Sequence, residues 1–189
     1  TVFLQELYRC PIISLFEYYY HAHHSDLDFR PDFPPPAISR LRAHARNAMI
    51  LLDLQTCTAG YAPSVWQKSL FPKEYASKLE VMHDGIDTEL WKRRPVPRRI
   101  GSEVIDDDVR IVTYVARGLE TYRGFDIFVR VANRIAQEMR NVLFVVVGSD
   151  RVCYGNDLSH IKTKTFRQHV IQMEQPDLTR FRFLGTLPK

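Results

Sequence analysis

The sequence predicts an α/β protein of two units, each a parallel sheet flanked by helices. Short apolar runs alternate with amphipathic stretches along the chain, the run 142–147 is almost wholly apolar as a strand buried on both faces would be, and the composition breaks sharply at 92–108.

In the first unit, the run 11–16, Pro-Ile-Ile-Ser-Leu-Phe, predicts the opening strand, followed by Glu17 and three tyrosines. The stretch 21–36 is rich in His, Asp and Pro and closes on three prolines, each of which fixes φ and removes a backbone donor. It reads as a loop. From 38 to 52, Ile38, Leu41, Ala45, Ala48, Met49 and Leu52 recur at helical spacing and place an apolar stripe on one face of an amphipathic helix. A strand at 57–61, a helix capped by Ser64 and running to Leu70, and a strand at 78–82 continue the alternation, separated by Pro63 and Pro72.

Residues 92–108 carry basic residues, Pro95 and Pro97, then the acidic run Asp106, Asp107 and Asp108, and read as an interdomain linker. Beyond it, a strand at 111–116 leads through a polar turn into a helix at 124–140, with Phe125, Phe128, Ala132, Ile135 and Met139 at helical spacing. The strand 142–147, ending at Gly148, completes a βαβ unit, which a helix at 159–173 and a strand at 180–184 extend. This is Rossmann-like in architecture, although the dinucleotide fingerprint G-x-G-x-x-G is absent.

A chain of 189 residues, 45% hydrophobic, can bury a real core. Cys10, Cys57 and Cys153 are odd in number and lack C-x-x-C spacing, which argues against a disulfide framework and a zinc ribbon and favours a reducing cytoplasm. No apolar run is long enough to cross a bilayer. The net charge of +4 favours anionic partners without choosing among them. The basic run Lys92, Arg93, Arg94, Arg98 and Arg99 reads as a solvated linker or as a peripheral contact with anionic lipid at the inner membrane face. Nucleic acid is disfavoured because aromatic residues are not interleaved with it. His21, His23, His24, Asp26 and Asp28 are metal-ligand types, but their spacing fits no closed zinc pattern, so no metal is expected.

The densest chemical signal follows the strand 111–116: Arg117-Gly118-Leu119-Glu120-Thr121-Tyr122-Arg123-Gly124-Phe125. Ligands of open α/β sheets bind outside the carboxyl ends of strands, where this turn falls. Gly118 and Gly124 permit close approach, the helix start near Gly124 offers unpaired N–H groups, and guanidinium groups fork onto phosphate oxygens. Arg117 and Arg123 could therefore offset the charge of a diphosphate. On composition alone they read equally as solvated loop arginines.

This turn resembles that of the retaining glycosyltransferases of family 4, in which a strand is followed by Gly-Arg, then Lys-Gly six residues further on, then a helix. Arg117 matches the arginine and Arg123 stands for the lysine, while Ala116 replaces the first glycine. The stretch 78–88, with His83-Asp84-Gly85-Ile86-Asp87, is similar to the family's strand followed by Asn-Gly-Val-Asp; 141–148 is similar to its apolar strand ending in Val-Gly; and 181–185 is similar to its Phe-Leu-Gly strand. The resemblance implies a GT-B-like pair of Rossmann-like domains facing across a cleft. Residues 1–91 would be the latter part of the N-terminal, acceptor-side domain, 92–108 the linker, and 109–189 the first part of the nucleotide-sugar-binding domain. Thr1 opens the chain without a methionine, and the family's glutamate pair lies downstream of the Phe-Leu-Gly strand, so an incomplete chain, inactive by itself, is expected.

The implied reaction moves a sugar, with retention, from a nucleoside diphosphate sugar to a glycan or lipid-linked acceptor in cell-surface polysaccharide or glycoconjugate synthesis. The donor is a co-substrate, and no cofactor is required. Arg117, Gly118, Arg123 and Gly124 would bind the donor diphosphate; His83, Asp84, Gly85 and Gly148 would line the cleft; and Glu17, at the end of the first strand, would orient hydroxyls as a catalytic candidate. His83 also reads as a structural hydrogen-bonding residue. Two other readings stay open: a non-hydrolysing nucleotide-sugar epimerase, and a non-catalytic nucleotide-binding module.

Overall fold

A computed structural model describes residues 2–188. The chain divides into two compact units, Thr1–Arg93 and Arg94–Lys189. Parallel sheets flanked by helices make both α/β and Rossmann-like in character.

The first unit runs α1 (Val2–Tyr8), β1 (Ile13–Leu15), α2 (Ile38–Thr56), β2 (Ala59–Ala62), α3 (Val65–Ser69), a 3₁₀ turn at Lys73–Lys78, and β3 (Leu79–Val81). Its three strands are parallel in the order β1-β2-β3. Side chains alternate across a strand, so Ile12 and Phe16 enter a core with Leu54, Cys57, Phe71 and Leu79, while Ile13 and Leu15 point to the exposed face. A Cβ on Gly60 would stand 2.5 Å from the Phe16 ring, so the absent side chain makes room for that ring. Lys78 Nζ donates to the carbonyls of Leu54, Gln55 and Cys57 at 3.0 Å each, satisfying groups that the end of α2 leaves unpaired. Residues 21–36 form bends and turns without a regular element, as their prolines predict.

The face of α2 that packs inward differs from the apolar stripe in the sequence. Ala43, Asn47 and Leu54 are buried, whereas Ile38, Leu41, Ala45, Ala48, Met49 and Leu52 are exposed. Asn47 fixes this rotation. Its Nδ2 donates to the Tyr20 carbonyl (2.6 Å) and its Oδ1 accepts from the Tyr20 N–H (2.9 Å), tying the helix to the segment after β1. A polar residue at the centre of a packing face is invisible to a count of apolar spacing.

The second unit runs β4 (Arg99–Ile100), β5 (Glu103–Val104), β6 (Arg110–Gly118), α4 (Phe125–Glu138), β7 (Val142–Ser149), α5 (Phe166–Glu174) and β8 (Phe181–Gly185). Strands β6, β7 and β8 are parallel with β7 in the middle, which accounts for its nearly unbroken apolar sequence. On one face, the rings of Tyr114, Phe128, Phe144 and Phe181 pack in series at centroid separations of 5.0, 6.2 and 4.9 Å. On the other, Leu143 and Val145 pack with Ile105 and Ile100. Ile100 and Ile105 lie in the stretch that composition marks as a linker; β4 and β5 form a small antiparallel ribbon there, too short for periodicity to reveal. Helix α5 begins at Phe166 rather than at 159, because the Thr165 side chain accepts from Gln168 N (3.2 Å) and caps it. A separate 3₁₀ turn, Asp157–Ser159, stands ahead of it.

The ribbon is fastened to β8 by a two-pronged pair: Arg182 Nε and Nη2 each lie 2.7 Å from a Glu103 carboxylate oxygen. The Arg182 hydrogen bonds hold the Glu103 carboxyl below the ordinary carboxylate range, against a smaller opposing effect of burial. A depressed folded pKa gives stability that is present above the unfolded value, near pH ~4.3, and is lost as pH falls through the folded value. Glu103→Gln is therefore expected to lower the melting temperature at neutral pH, with the gap from wild type closing once the pH drops below the carboxylate range. A gap that stays constant with pH would show that the pair's charge contributes nothing.

Candidate active site

The site in the second unit is built where β6 and β7 end and the chain turns. Gly118 closes β6; a Cβ there would stand 2.5 Å from the Arg151 carbonyl and 2.8 Å from Cys153 Sγ, so glycine lets the loop after β7 press against the loop after β6. Gly148 serves the same approach from the other strand, with φ +151 and an added Cβ 2.5 Å from the Ala116 carbonyl.

Two buried carboxylates then fasten these loops in opposite directions. Glu120, fully buried, accepts the backbone N–H groups of Cys153 and Tyr154, the latter at 2.9 Å. Asp157, also buried, accepts from Thr121 N (2.8 Å) and Thr121 Oγ1 (2.7 Å). Each carboxylate thus satisfies donors of the other loop, the condition under which burying a charge is tolerable. The remaining Glu120 oxygen, Oε1, makes no hydrogen bond among the described residues and faces Arg123, whose Nε is 3.9 Å away.

Arg123 is placed by its backbone. Its carbonyl accepts from the Tyr114 hydroxyl at 3.1 Å, and Gly124 follows in the left-handed conformation (φ +66), turning the chain into α4. Burial, reinforced by the negative charge of Glu120, pushes the Tyr114 phenol well above its ordinary pKa, so it stays a donor throughout the working pH range. Among the described residues nothing lies within 4 Å of a Cβ built on Gly124, so glycine is required there by its backbone conformation and not by crowding.

Arg117 and Arg123, six residues apart in sequence, converge on one ring. Arg117 Nη1 donates to the Tyr154 hydroxyl (3.0 Å), and the two guanidinium carbons stand 6.0 and 5.2 Å from the centre of the Tyr154 ring. Both arginines are exposed. The four residues read as a diphosphate site, Arg117, Gly118, Arg123 and Gly124, therefore sit together, with Gly148 beneath them. The sequence reading missed Tyr154, Glu120, Asp157 and Tyr114. The partners of Glu120 and Asp157 are 33 to 36 positions away, and a glutamate between two arginines reads as a solvated loop residue.

Residues 1–91 match the profile of the glycosyl transferase family 4 group. The match spans the first unit and just under half of the chain. No curated protein matches the chain. The matched segment ends upstream of Arg117, so the second unit's site rests on its own geometry.

In the first unit, Glu17 and His83 follow the carboxyl ends of β1 and β3, on the same end of a parallel sheet. Glu17 is exposed and its carbonyl accepts from Gln67 Nε2 at 2.8 Å. His83 Nδ1 accepts from Gly85 N at 3.0 Å, with Gly85 at φ +76, which makes His83 a brace of the Asp84-Gly85 turn. In the His/Asp loop, Tyr18 Oη donates to Asp26 (2.9 Å), Asp28 accepts from His24 N (2.8 Å), and His21 Nε2 meets the Leu70 carbonyl (2.9 Å). Among the described residues no three His, Cys, Asp or Glu side chains are grouped to hold a metal ion, and no helix is long and apolar enough to cross a membrane.

Glu120→Ala would remove the acceptor of two part-buried N–H groups and is expected to cost about 1–3 kcal/mol. Urea denaturation monitored by circular dichroism would measure this. An unchanged midpoint would mean that the carboxylate does not fasten the two loops.

Proposed function

We propose that the second unit binds the diphosphate of a nucleoside diphosphate sugar, with Arg117 and Arg123 as its cationic clamp, and that the protein transfers the sugar with retention to a glycan or lipid-linked acceptor. The observation that carries the reading is the convergence of two guanidinium groups at the carboxyl end of β6, just ahead of α4. The match of the first unit to a glycosyltransferase family supplies the reaction class.

Breaking the bond between sugar and diphosphate leaves negative charge on the departing phosphate. Fixed cations aimed at that charge lower the barrier because they need no reorientation as it develops. The α4 N-terminus adds partial positive charge on the same side. The Arg123 guanidinium remains available to a phosphate because its nearest carboxylate oxygen is 3.9 Å away, beyond hydrogen-bonding distance.

Calorimetric titration of the chain with UDP and GDP tests the reading. At least one should bind, and Arg117→Ala should weaken that binding by about 10- to 100-fold, the range for charge-assisted hydrogen bonds, without changing the melting temperature. Absence of binding by both nucleotides at millimolar concentration would overturn the assignment.

A further inference from the structure

We infer that Tyr154 is a positioning residue of the anion clamp: its ring holds the guanidinium groups of Arg117 and Arg123 converged before a diphosphate arrives. The inference rests on the diphosphate reading of this site.

An exposed arginine samples many rotamers, and two beside one another repel. Binding one phosphate group with both would require each to be ordered first, at an entropic cost that weakens binding. Tyr154 offsets that cost. Its hydroxyl accepts from Arg117 Nη1 at 3.0 Å, and its π-face attracts both cations, at 5.2 and 6.0 Å from the ring centre.

The contact leaves the clamp usable. A guanidinium carries several N–H donors in one plane. Arg117 gives Nη1 to Tyr154 and keeps the others, and attraction to the ring leaves Arg123's donors unspent. A diphosphate can therefore be gripped without dismantling the arrangement.

The ring also has a fixed pivot. Its own backbone N–H and that of Cys153 are held by the buried Glu120 carboxylate, and Asp157, three residues on, is held by Thr121. Gly155, at φ +85, lies so close to the Tyr122 ring that an added Cβ would stand 2.9 Å from it. Tyr154 is 44% exposed, so its truncation alters the clamp and leaves the core intact.

Calorimetry with inorganic pyrophosphate as the probe separates the outcomes, using the full chain and its Tyr154→Ala, Tyr154→Leu, Tyr154→Phe and Arg117→Ala variants. Loss of both ring contacts should weaken pyrophosphate binding about tenfold in Tyr154→Ala, whereas Tyr154→Phe, which keeps the π-face, should stay within about threefold of wild type. Tyr154→Leu, which keeps the bulk without the π-face, should match the alanine variant and guards against a folding defect in it. Melting temperatures should not move. Binding by Tyr154→Ala as tight as wild type or tighter, alongside a loss in Arg117→Ala, would overturn the positioning role while leaving the diphosphate reading intact. Failure of the unaltered chain to bind pyrophosphate would overturn both.

Discussion

The buried carboxylate of Glu120 is the constraint on which the second unit's site depends. Exposed arginines stand three residues away on either side in the sequence, yet it is itself wholly removed from solvent. Burial is tolerable because two backbone N–H groups of the loop after β7 point at one of its oxygens and Arg123 lies toward the other. Through those bonds the ends of two neighbouring parallel strands become one rigid rim. Gly118 and Gly148 are the steric counterpart of the same device, since a Cβ at either would hold the loops apart.

What this rim presents is charge. The Glu120 carboxylate orders the backbone beneath Tyr154, Tyr154 orders two guanidinium groups, and Tyr114 fixes the carbonyl of Arg123 from within the aromatic stack of β6, α4, β7 and β8. Core packing, loop fastening and cation placement are thus consecutive steps of one construction. In the first unit, Asn47 on Tyr20 orders the backbone beyond the sheet's carboxyl end, where Glu17 and His83 lie, and Lys78 on the end of α2 orders its amino end.

Most of the element order was legible in the sequence because it depends on local chemistry: prolines after the first strand, the Ser64 cap, and the solid apolar run of β7. Arg117, Gly118, Arg123 and Gly124 were legible for the same reason, since a glycine-bounded basic turn after a strand is a local pattern. Features set by distant partners were not. The rotation of α2 depends on one buried asparagine meeting Tyr20, and the ribbon at 99–104 owes its place to Ile105 packing and to Arg182, 79 positions from Glu103. The start of α5 turned on which of several polar residues caps it. Tyr154 escaped notice because its significance appears only once the loop that carries it is fastened across to Glu120.

The claim that joins these features is that the two guanidinium groups form one anion site. Side-chain NMR of the arginine Nε–Hε groups during titration with pyrophosphate tests it directly. Resonances of Arg117 and Arg123 should shift together with a single dissociation constant, and those of Arg130, Arg134 and Arg182 should stay in place. Shifts confined to other arginines, or different constants for Arg117 and Arg123, would contradict it.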